Sequence, residues 1–419
     1  MKIKQLTFFN DYKQFKKDDS FSFSSKVDSG SHFENLYVSV LVGRNGSGKT
    51  TLMSLISSFF HNIERYGSKI PADFEIVYST NWTLKEVEVC IKHFNNLITF
   101  SVEGIYDQIQ LLPKKNAREE HFSLINMDKP YITYENIREY LPFKVVTSTF
   151  SIHGEYPISR PSNYIGDEIV DVQSITDIYG NNHYDLGSIS LGIFRFVNLY
   201  FKKSNELKEL LDLFDLKFTN RVLFRDSDWE TVKKKWLRLS ESSFIKKYDY
   251  LNDIEFERNG RLISLGNMSS GEKMLLLRSL SILNAVEQDS IIIIEEPELH
   301  LDPVWNRQLT TLFEVLLSGY NSHLLIATHN YSIINSVQQS NIIYLDNGSE
   351  NKISENTFLA SYEELFRILY GEDFRSNKIE EDFLSTLSEK SVDELKIDYE
   401  KIGNSIYKYL IYKKIREKS

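Results

Sequence analysis

The feature that most constrains this chain is a glycine-rich run between an apolar strand pattern at residues 37–42 and an apolar helix pattern at residues 50–60. The run fits the pattern G-x-x-x-x-G-K-[ST] at every position. In such a loop, backbone N–H groups and the helix N-terminus surround phosphate oxygens, the lysine contacts the β- and γ-phosphates, and the hydroxyl binds Mg²⁺. The run therefore predicts a nucleotide phosphate site. Its residues, with the threonine that follows, are Gly43, Arg44, Asn45, Gly46, Ser47, Gly48, Lys49, Thr50 and Thr51.

Two carboxylates follow a second apolar strand pattern. Residues 291–294 are four isoleucines, and Glu295 and Glu296 come directly after them. Charged side chains are rarely buried without a partner or a function, and consecutive side chains on a strand point in opposite directions. We therefore expect Glu295 to bind Mg²⁺ and Glu296 to act as the general base that polarises the attacking water.

The arrangement of patterns along the chain predicts a mixed architecture. Strand patterns that alternate with helix patterns indicate a parallel α/β sheet. The section from 70 to 260 is too long to be a single loop. Alternating apolar residues between 74 and 110, with Asn95-Asn96 as a turn, predict antiparallel strands there. Apolar residues at helix spacing from 193 to 247 predict a helical lobe.

Composition limits the class of protein. The net charge of −10 over 419 residues argues against a protein that coats nucleic acid through its overall charge. The densest basic run, residues 233–235, is typical of a solvated helix face, with a nucleic-acid patch as the alternative. The longest strongly apolar run is far shorter than the ~20 residues that cross a bilayer. With one cysteine, Cys90, no intrachain disulfide can form, so we expect a soluble cytoplasmic protein.

Two short motifs are ambiguous by themselves. Ser269, Ser270, Gly271 and Glu272 precede a helix pattern, which is typical of an ordinary helix cap and equally of an anion site at a helix N-terminus. Their position about twenty residues before the acid pair favours the anion site. His329 follows the third strand pattern, where it is well placed to meet a γ-phosphate.

In this order, the motifs G-R-N-G-S-G-K-T, S-S-G-E-K, I-I-I-I-E-E-P-E-L-H-L-D-P and A-T-H-N resemble the ABC-ATPase class, in the branch shared by SMC, RecF and OLD-type proteins. The resemblance covers roughly residues 1–60 and 260–350. It implies ATP and Mg²⁺ as ligands, ATP hydrolysis, and a head-to-tail homodimer in which the signature motif, residues 269–272, of one copy completes the phosphate site of the other. A higher homo-oligomer stays open. The resemblance also implies that Asp302 lies in the loop that crosses the dimer interface and that His329 is the switch histidine.

The chain departs from the pattern of this class at three places. Glu295 stands where an aspartate is usual, which implies looser Mg²⁺ geometry. No glutamine marks the Q-loop, whose place after the strand pattern 143–147 is taken by residues 148–151. The aromatic residue that stacks on adenine is unassigned, with Phe8, Phe9 and Tyr12 as candidates.

The expected fold is therefore an α/β ATPase head with a mostly parallel sheet, an antiparallel β lobe and an inserted helical lobe. The expected parts are an N-terminal ATPase part with the phosphate loop (1–70), an antiparallel β and Q-loop region (71–192), a helical insertion (193–260), a C-terminal ATPase part with the signature, Walker B strand and switch histidine (261–350), and a C-terminal helical region (351–419).

The spacing of the motifs distinguishes between members of the ABC-ATPase class. About 220 residues separate the phosphate loop from residues 269–272, too many for a compact transporter ATPase and far too few for an SMC coiled coil. The layout most resembles standalone ATPases of bacterial anti-phage systems, above all the PtuA-type ATPases of Septu systems, with the AriA-type ATPases of PARIS systems as the rival. This implies a sensor or regulatory ATPase that controls a separately encoded HNH or TOPRIM nuclease. The alternatives are a RecF-like repair ATPase that binds DNA directly and a transporter energy subunit, for which the sequence shows no coupling surface.

Overall fold

The computed structural model describes most of the chain and divides it into two compact units, Met1–Ser361 and Tyr362–Ser419. The described residues are 1–23, 33, 36–63, 70–83, 85–112, 125–126, 128–149, 166–169, 186–225, 234–239, 251–371, 378–403 and 406–418. The strands are β1 Lys2–Phe8, β2 Ser20–Ser22, β3 Tyr37–Gly43, β4 Phe74–Trp82, β5 Lys85–Phe94, β6 Leu97–Val102, β7 Tyr106–Leu111, β8 Tyr131–Ile132, β9 Lys144–Thr149, β10 Gly166–Ile169, β11 Lys217–Arg225, β12 Lys234–Arg238, β13 Leu251–Arg258, β14 Arg261–Ser264, β15 Ile291–Glu295, β16 His323–Ala327, β17 Ile342–Asp346 and β18 Ser349–Asn351. The helices are α1 Lys49–Asn62, α2 Tyr134–Ile137, α3 Leu186–Lys202, α4 Ser204–Leu213, α5 Ser270–Ala285, α6 Pro303–Leu317, α7 Tyr331–Ile334, α8 Tyr362–Tyr370, α9 Lys378–Leu387, α10 Val392–Lys401 and α11 Ile406–Lys418.

A seven-stranded sheet forms the centre of the first unit, in the order β10-β9-β15-β16-β3-β17-β18. Every neighbouring pair in it is parallel except β17 with β18. All five residues of β15 are buried, as expected for a parallel strand covered on both faces. The predicted mostly parallel α/β sheet is confirmed.

A second seven-stranded sheet, in the order β2-β1-β4-β5-β6-β7-β8, is antiparallel except for the pairing of β7 with β8. Its β5–β6 hairpin turns at Asn95 and Asn96, which have φ values of 50° and 63°. Two successive left-handed residues match the twist of a two-residue hairpin, and asparagine tolerates that conformation well. The alternating pattern at 74–110 therefore does form antiparallel strands.

Helix α1 lies between the two sheets. Its apolar side chains Leu52, Ile56 and Phe59 belong to one core cluster with residues of both sheets, among them Leu6 of β1 and Ile293 of β15. All five of these side chains are buried. The helix that begins in the phosphate loop is thus held on two faces, so its N-terminus has a fixed position.

The predicted all-helical lobe at 193–260 is wrong. Helices α3 and α4 end at Leu213, and a four-stranded antiparallel sheet follows, in the order β12-β11-β13-β14. Trp236, within the stretch predicted to be helical, pairs with Leu223 across this sheet. Lys234 and Lys235 of the basic run lie in β12, where we expected a helix face. Lys233 lies outside the described residues. Pairing with neighbouring strands decides the outcome beyond residue 214.

In its described part the second unit consists of helices α8 to α11, whereas residues 352–361, which we expected in the same helical region, belong to the first unit and form no helix. Leu387, Leu395 and Ile411 form its small core, and Ser391 with Glu394 forms a capping box that begins α10. Across the described part of the chain, no helix has the length and apolar character that a membrane crossing requires.

Candidate nucleotide site

The carboxyl edge of the central sheet brings the predicted motifs together. Strand β16 pairs with β3 on one side, where Ala327 is opposite Leu41, and with β15 on the other, where Ala327 is opposite Glu295. All three strands run in the same direction, so the segments that follow them leave the sheet at the same edge. Those segments are the phosphate loop, the acid pair and the turn with His329. Ligands of open α/β sheets bind at this kind of edge.

The phosphate loop is closed around the Lys49 side chain. Its ammonium Nζ donates hydrogen bonds to the carbonyl oxygens of Gly43 at 2.8 Å and Arg44 at 3.2 Å. Burial lowers the pKa of Lys49, whereas Glu296, Glu295 and then Glu298 oppose that change. The lysine is therefore a buried cation within electrostatic range of three carboxylates. Phosphate oxygens could replace the two carbonyl oxygens that now accept its hydrogen bonds.

Only glycine fits at the end of the loop. Gly48 has φ 111°, and a Cβ atom there would lie 2.5 Å from Nε2 of Gln14 and 2.8 Å from the ring of Phe15. Gly48 is also the N-cap residue of α1, and it has no side chain to cap the helix. The first N–H groups of α1 therefore face outward toward the loop, as anion binding requires.

The acid pair is arranged by a turn as well as by the strand. Glu295 is the last residue of β15 and is 1% exposed. Glu296 lies outside the strand with φ 43°, and its N–H donates to the carbonyl of Ala327 at 2.8 Å. A left-handed conformation is uncommon for glutamate, and such residues cluster at functional sites. Glu296 therefore lies in a turn beyond the strand, whereas we expected both acids to follow strand alternation.

Glu296 faces His329 across the edge, with Oε1 at 3.6 Å from Nε2. Burial and the neighbouring Glu298 raise the pKa of Glu296 to about 8, against the opposing effect of Lys49. Burial and then Lys49 lower the pKa of His329, against the opposing effect of Glu298. At neutral pH the imidazole is therefore neutral. A half-buried carboxyl and a neutral imidazole are suitable groups for orienting a water molecule.

Thr50 and Glu295 could hold a divalent cation. Both offer hard oxygen atoms, which Mg²⁺ prefers. The carboxylates at 295, 296 and 298 all lie within electrostatic range of Lys49. Carboxylate and hydroxyl oxygens together make a donor set that fits Mg²⁺. The assigned roles of these residues stay predictions.

The signature motif and Asp302 are not joined to this edge within one chain. Ser269 is the N-cap of α5 and accepts from the N–H of Glu272 at 3.3 Å, and Arg258 pairs with Glu272 at 3.0 Å. Asp302 caps α6 by accepting from Val304 N at 2.8 Å and Trp305 N. Within the described residues, the hydrogen bonds and ion pairs of Ser269, Glu272 and Asp302 are local, and none reaches the phosphate loop. Ser269, Ser270 and Asp302 are exposed.

Sequence patterns gave no sign of a buried arginine in α5. Arg278 donates through Nε to Oγ of Ser148, and through Nη2 to the carbonyls of Ser148 at 3.0 Å and Glu295 at 3.4 Å. It links the helix that begins at the signature with the ends of β9 and β15. Because these contacts join residues up to 130 positions apart, no local pattern marks them.

The Q-loop and adenine assignments are partly resolved. Ser148 and Thr149 are the last residues of β9, so the strand is longer than expected, and Phe150 and Ser151 lie outside the described residues. Phe8 is fully buried and stacks on Phe15 at 4.9 Å, which excludes it as a face for adenine. Phe9 and Tyr12 are half-buried.

The chain is similar in sequence to one known family and to two known ATPases. A family profile described as "AAA domain, putative AbiEii toxin, Type IV TA system" matches residues 180–335, which contain the signature, the acid pair and His329. The chain is 21% identical over 387 residues to the Retron Vc95 probable ATPase of Vibrio cholerae serotype O1 biovar El Tor, covering 79% of this chain and 71% of that protein. It is 26% identical over 172 residues to the Retron Ec83 probable ATPase of Escherichia coli, covering 36% and 31%.

Among solved structures, the SMC head domain from Thermotoga maritima aligns with a TM-score of 0.40 at 15% identity, over 84% of this chain and 97% of that one. The SMC head bound to the C-terminal winged-helix domain of ScpA gives 0.40 at 13% identity, over 87% and 100%. In sequence, residues 180–335 are thus similar to an AAA-type, AbiEii-like ATPase domain, and the chain is similar to two retron ATPases.

Proposed function

We propose that this chain binds ATP with Mg²⁺ and hydrolyses ATP at the carboxyl edge of the central sheet. The observation that carries the proposal is the convergence of Lys49, Glu295, Glu296 and His329 on that edge. Lys49 would exchange its two carbonyl partners for phosphate oxygens, and Thr50 with Glu295 would hold the metal. Glu296 would orient the attacking water and accept its proton, with His329 beside it.

The raised pKa of Glu296 bears on this mechanism. A carboxyl whose pKa is about 8 mostly holds its proton at neutral pH and cannot accept another from water. Mg²⁺ bound beside it would add positive charge, which favours the ionised form of neighbouring carboxyls. Lys49 already acts in the same direction. The base would therefore become active only when the site is filled.

The basic test is calorimetric titration of the full chain with ATP, together with a phosphate-release assay. The wild type should bind ATP and release phosphate in the presence of Mg²⁺. Absence of ATP binding under these conditions would refute the proposed function.

We also propose that two copies build each working site, with Ser269, Ser270, Gly271, Glu272 and Asp302 of one copy meeting the phosphate loop of the other. The exposure of Ser269, Ser270 and Asp302 and the local hydrogen bonding of the motif support this. A Lys49→Ala variant and a Ser270→Arg variant, each inactive alone, should regain hydrolysis when mixed, because one intact composite site forms. Mixed dimers that form and yet stay inactive would contradict a site shared between copies.

In the cell, we propose a sensor or regulatory ATPase of a bacterial anti-phage defence system that controls a separately encoded nuclease of HNH or TOPRIM type. The similarity to retron ATPases and to the AbiEii-type family supports a defence role. Co-expression with the products of neighbouring genes, followed by purification through this chain, tests it. Recovery of a nuclease whose activity depends on Lys49 supports the proposal. Salt-sensitive DNA binding by this chain alone, without any such partner, would favour the RecF-like alternative.

A further inference from the structure

Glu298 connects the two turns that carry the proposed catalytic groups. One oxygen of its carboxylate, Oε1, accepts a hydrogen bond from Oγ1 of Thr328 at 2.7 Å and another from the backbone N–H of His329 at 2.8 Å. Glu298 lies in the turn after β15, two residues beyond Glu296, whereas Thr328 and His329 follow β16. A single side chain therefore joins segments about thirty residues apart in the sequence.

The hydroxyl of Thr328 is fully committed in this arrangement. Thr328 is 0% exposed. Its Oγ1 donates its only hydrogen to Glu298 and accepts from the N–H of Asn330 at 2.9 Å. Its own N–H donates to the carbonyl of Leu41 in β3 at 3.2 Å. Thr328 is thus hydrogen-bonded to β3, the strand before the phosphate loop. Its bond to Glu298 joins it to the turn that contains the acid pair.

The two bonds to Glu298 come from adjacent residues of one turn, and losing their shared acceptor would leave both donors unpaired, so Glu298 can hold that turn in place. A backbone bond from Glu296 N to Ala327 O at 2.8 Å also joins the segment after β15 to the end of β16. That bond lies before His329 and does not itself fix the position of the His329 N–H. With Glu298 in place, Nε2 of His329 lies 3.6 Å from Oε1 of Glu296.

We propose that Glu298 is a positioning residue for hydrolysis, which holds the Thr328–His329 turn against the acid pair so that His329 and Glu296 face the same phosphate. This inference rests on the proposed ATPase function. Glu298 acts through its acceptor oxygen and through the position of His329. A role as proton acceptor through its other oxygen, Oε2, predicts a different result for the glutamine variant below, which keeps an acceptor oxygen and loses the basicity of the carboxylate.

Four variants of the full chain separate this role from others: Glu298→Ala, Glu298→Gln, Thr328→Val and the double variant Glu298→Ala/Thr328→Val. Glutamine keeps a carbonyl oxygen that can accept from both donors but carries no charge and is a far weaker base. We expect Glu298→Ala to lower kcat by about 10- to 100-fold, with ATP affinity within about threefold of wild type. Glu298→Gln should keep kcat within about threefold. Thr328→Val should lower kcat, and the double variant should be no slower than Glu298→Ala, because both changes remove the same contact.

Three results would overturn the inference. Loss of kcat in Glu298→Gln equal to that in Glu298→Ala would mean that the charge or proton of the carboxylate is required. Full activity of Glu298→Ala would mean that the contact is dispensable. A parallel loss of ATP affinity would assign Glu298 to binding. Glu103→Gln, at an exposed turn of the antiparallel sheet, serves as the matched control and should behave as wild type.

A second measurement does not depend on ATP hydrolysis. Amide hydrogen exchange at residues 328–330 should be faster in Glu298→Ala than in wild type and unchanged in Glu298→Gln, because only alanine removes the acceptor of the His329 N–H. Unchanged exchange in Glu298→Ala would refute the positioning role even if the protein is an ATPase. If exchange is faster in Glu298→Ala but the wild type has no ATPase activity, the result supports the contact of Glu298 with the turn and refutes only the proposed function.

Discussion

Replacing Glu296 by glutamine should have two opposite effects, a loss of turnover and a gain in stability of the nucleotide-free protein. Burial and the neighbouring Glu298 raise the pKa of Glu296 from 4.5 to about 8 in the folded protein. The folded state then holds a proton that the unfolded state releases. For a group with a raised folded pKa, the contribution to stability is fully present below the unfolded pKa and is lost as the pH rises through the folded one. The loss here spans about pH 4.5 to 8.

The size of the effect follows from that interval. The difference between 4.5 and about 8 corresponds to roughly 5 kcal/mol as an upper limit, at ~1.4 kcal/mol per pH unit. The side chain is 24% exposed, and its hydration reduces this figure. We expect Glu296→Gln to stabilise the protein by about 1–3 kcal/mol at pH 8.5 and by close to nothing at pH 4.5. Hydrolysis should fall by roughly 10²-fold or more, because amides are far weaker bases than carboxylates.

The assay is urea unfolding of the nucleotide-free protein with EDTA at pH 4.5, 6.5 and 8.5, together with phosphate release under saturating ATP and Mg²⁺. Glu103→Gln is the control and should alter neither quantity. If Glu296→Gln is stabilised as described and still hydrolyses ATP at nearly the wild-type rate, Glu296 is not the base. If turnover is lost without any pH-dependent gain in stability, then burial and Glu298 do not raise the pKa of Glu296 in the folded protein.

Three further changes test neighbouring parts of the site. Lys49→Ala should abolish detectable ATP binding in calorimetry while the thermal unfolding midpoint changes little; binding at wild-type affinity would exclude the phosphate-loop assignment. Glu295→Gln should weaken Mg²⁺-dependent nucleotide binding itself, unlike Glu296→Gln, and a Mg²⁺ titration of ATP affinity distinguishes the two acids. Arg278→Leu should lower the free energy of unfolding by about 1–3 kcal/mol, because the variant loses the donor to the buried acceptors at Ser148 and Glu295. It should also lower kcat. A variant that matches wild type in both urea midpoint and kcat would show that this link has no role.

The local sequence determined the parts of this protein that depend on near neighbours. A glycine-rich run between strand and helix can close around phosphates because glycine alone reaches φ 111° at Gly48 beside the Phe15 ring, and the pattern is complete within eight residues. The parallel strands were predictable because four consecutive isoleucines fit only a strand buried on both faces. The alternation of strand and helix patterns was enough to predict their shared direction.

Contacts between distant segments decided the rest. Strands β11, β12, β13 and β14 form a sheet because they supply partners to one another, whereas the helices of the predicted lobe end at Leu213. The left-handed turn at Glu296 and the bonds from Glu298 to Thr328 and His329 depend on β15 lying beside β16. Sequence spacing cannot report such contacts, because hydrogen bonds and burial act between residues that only the folded chain brings within about 3 Å of one another.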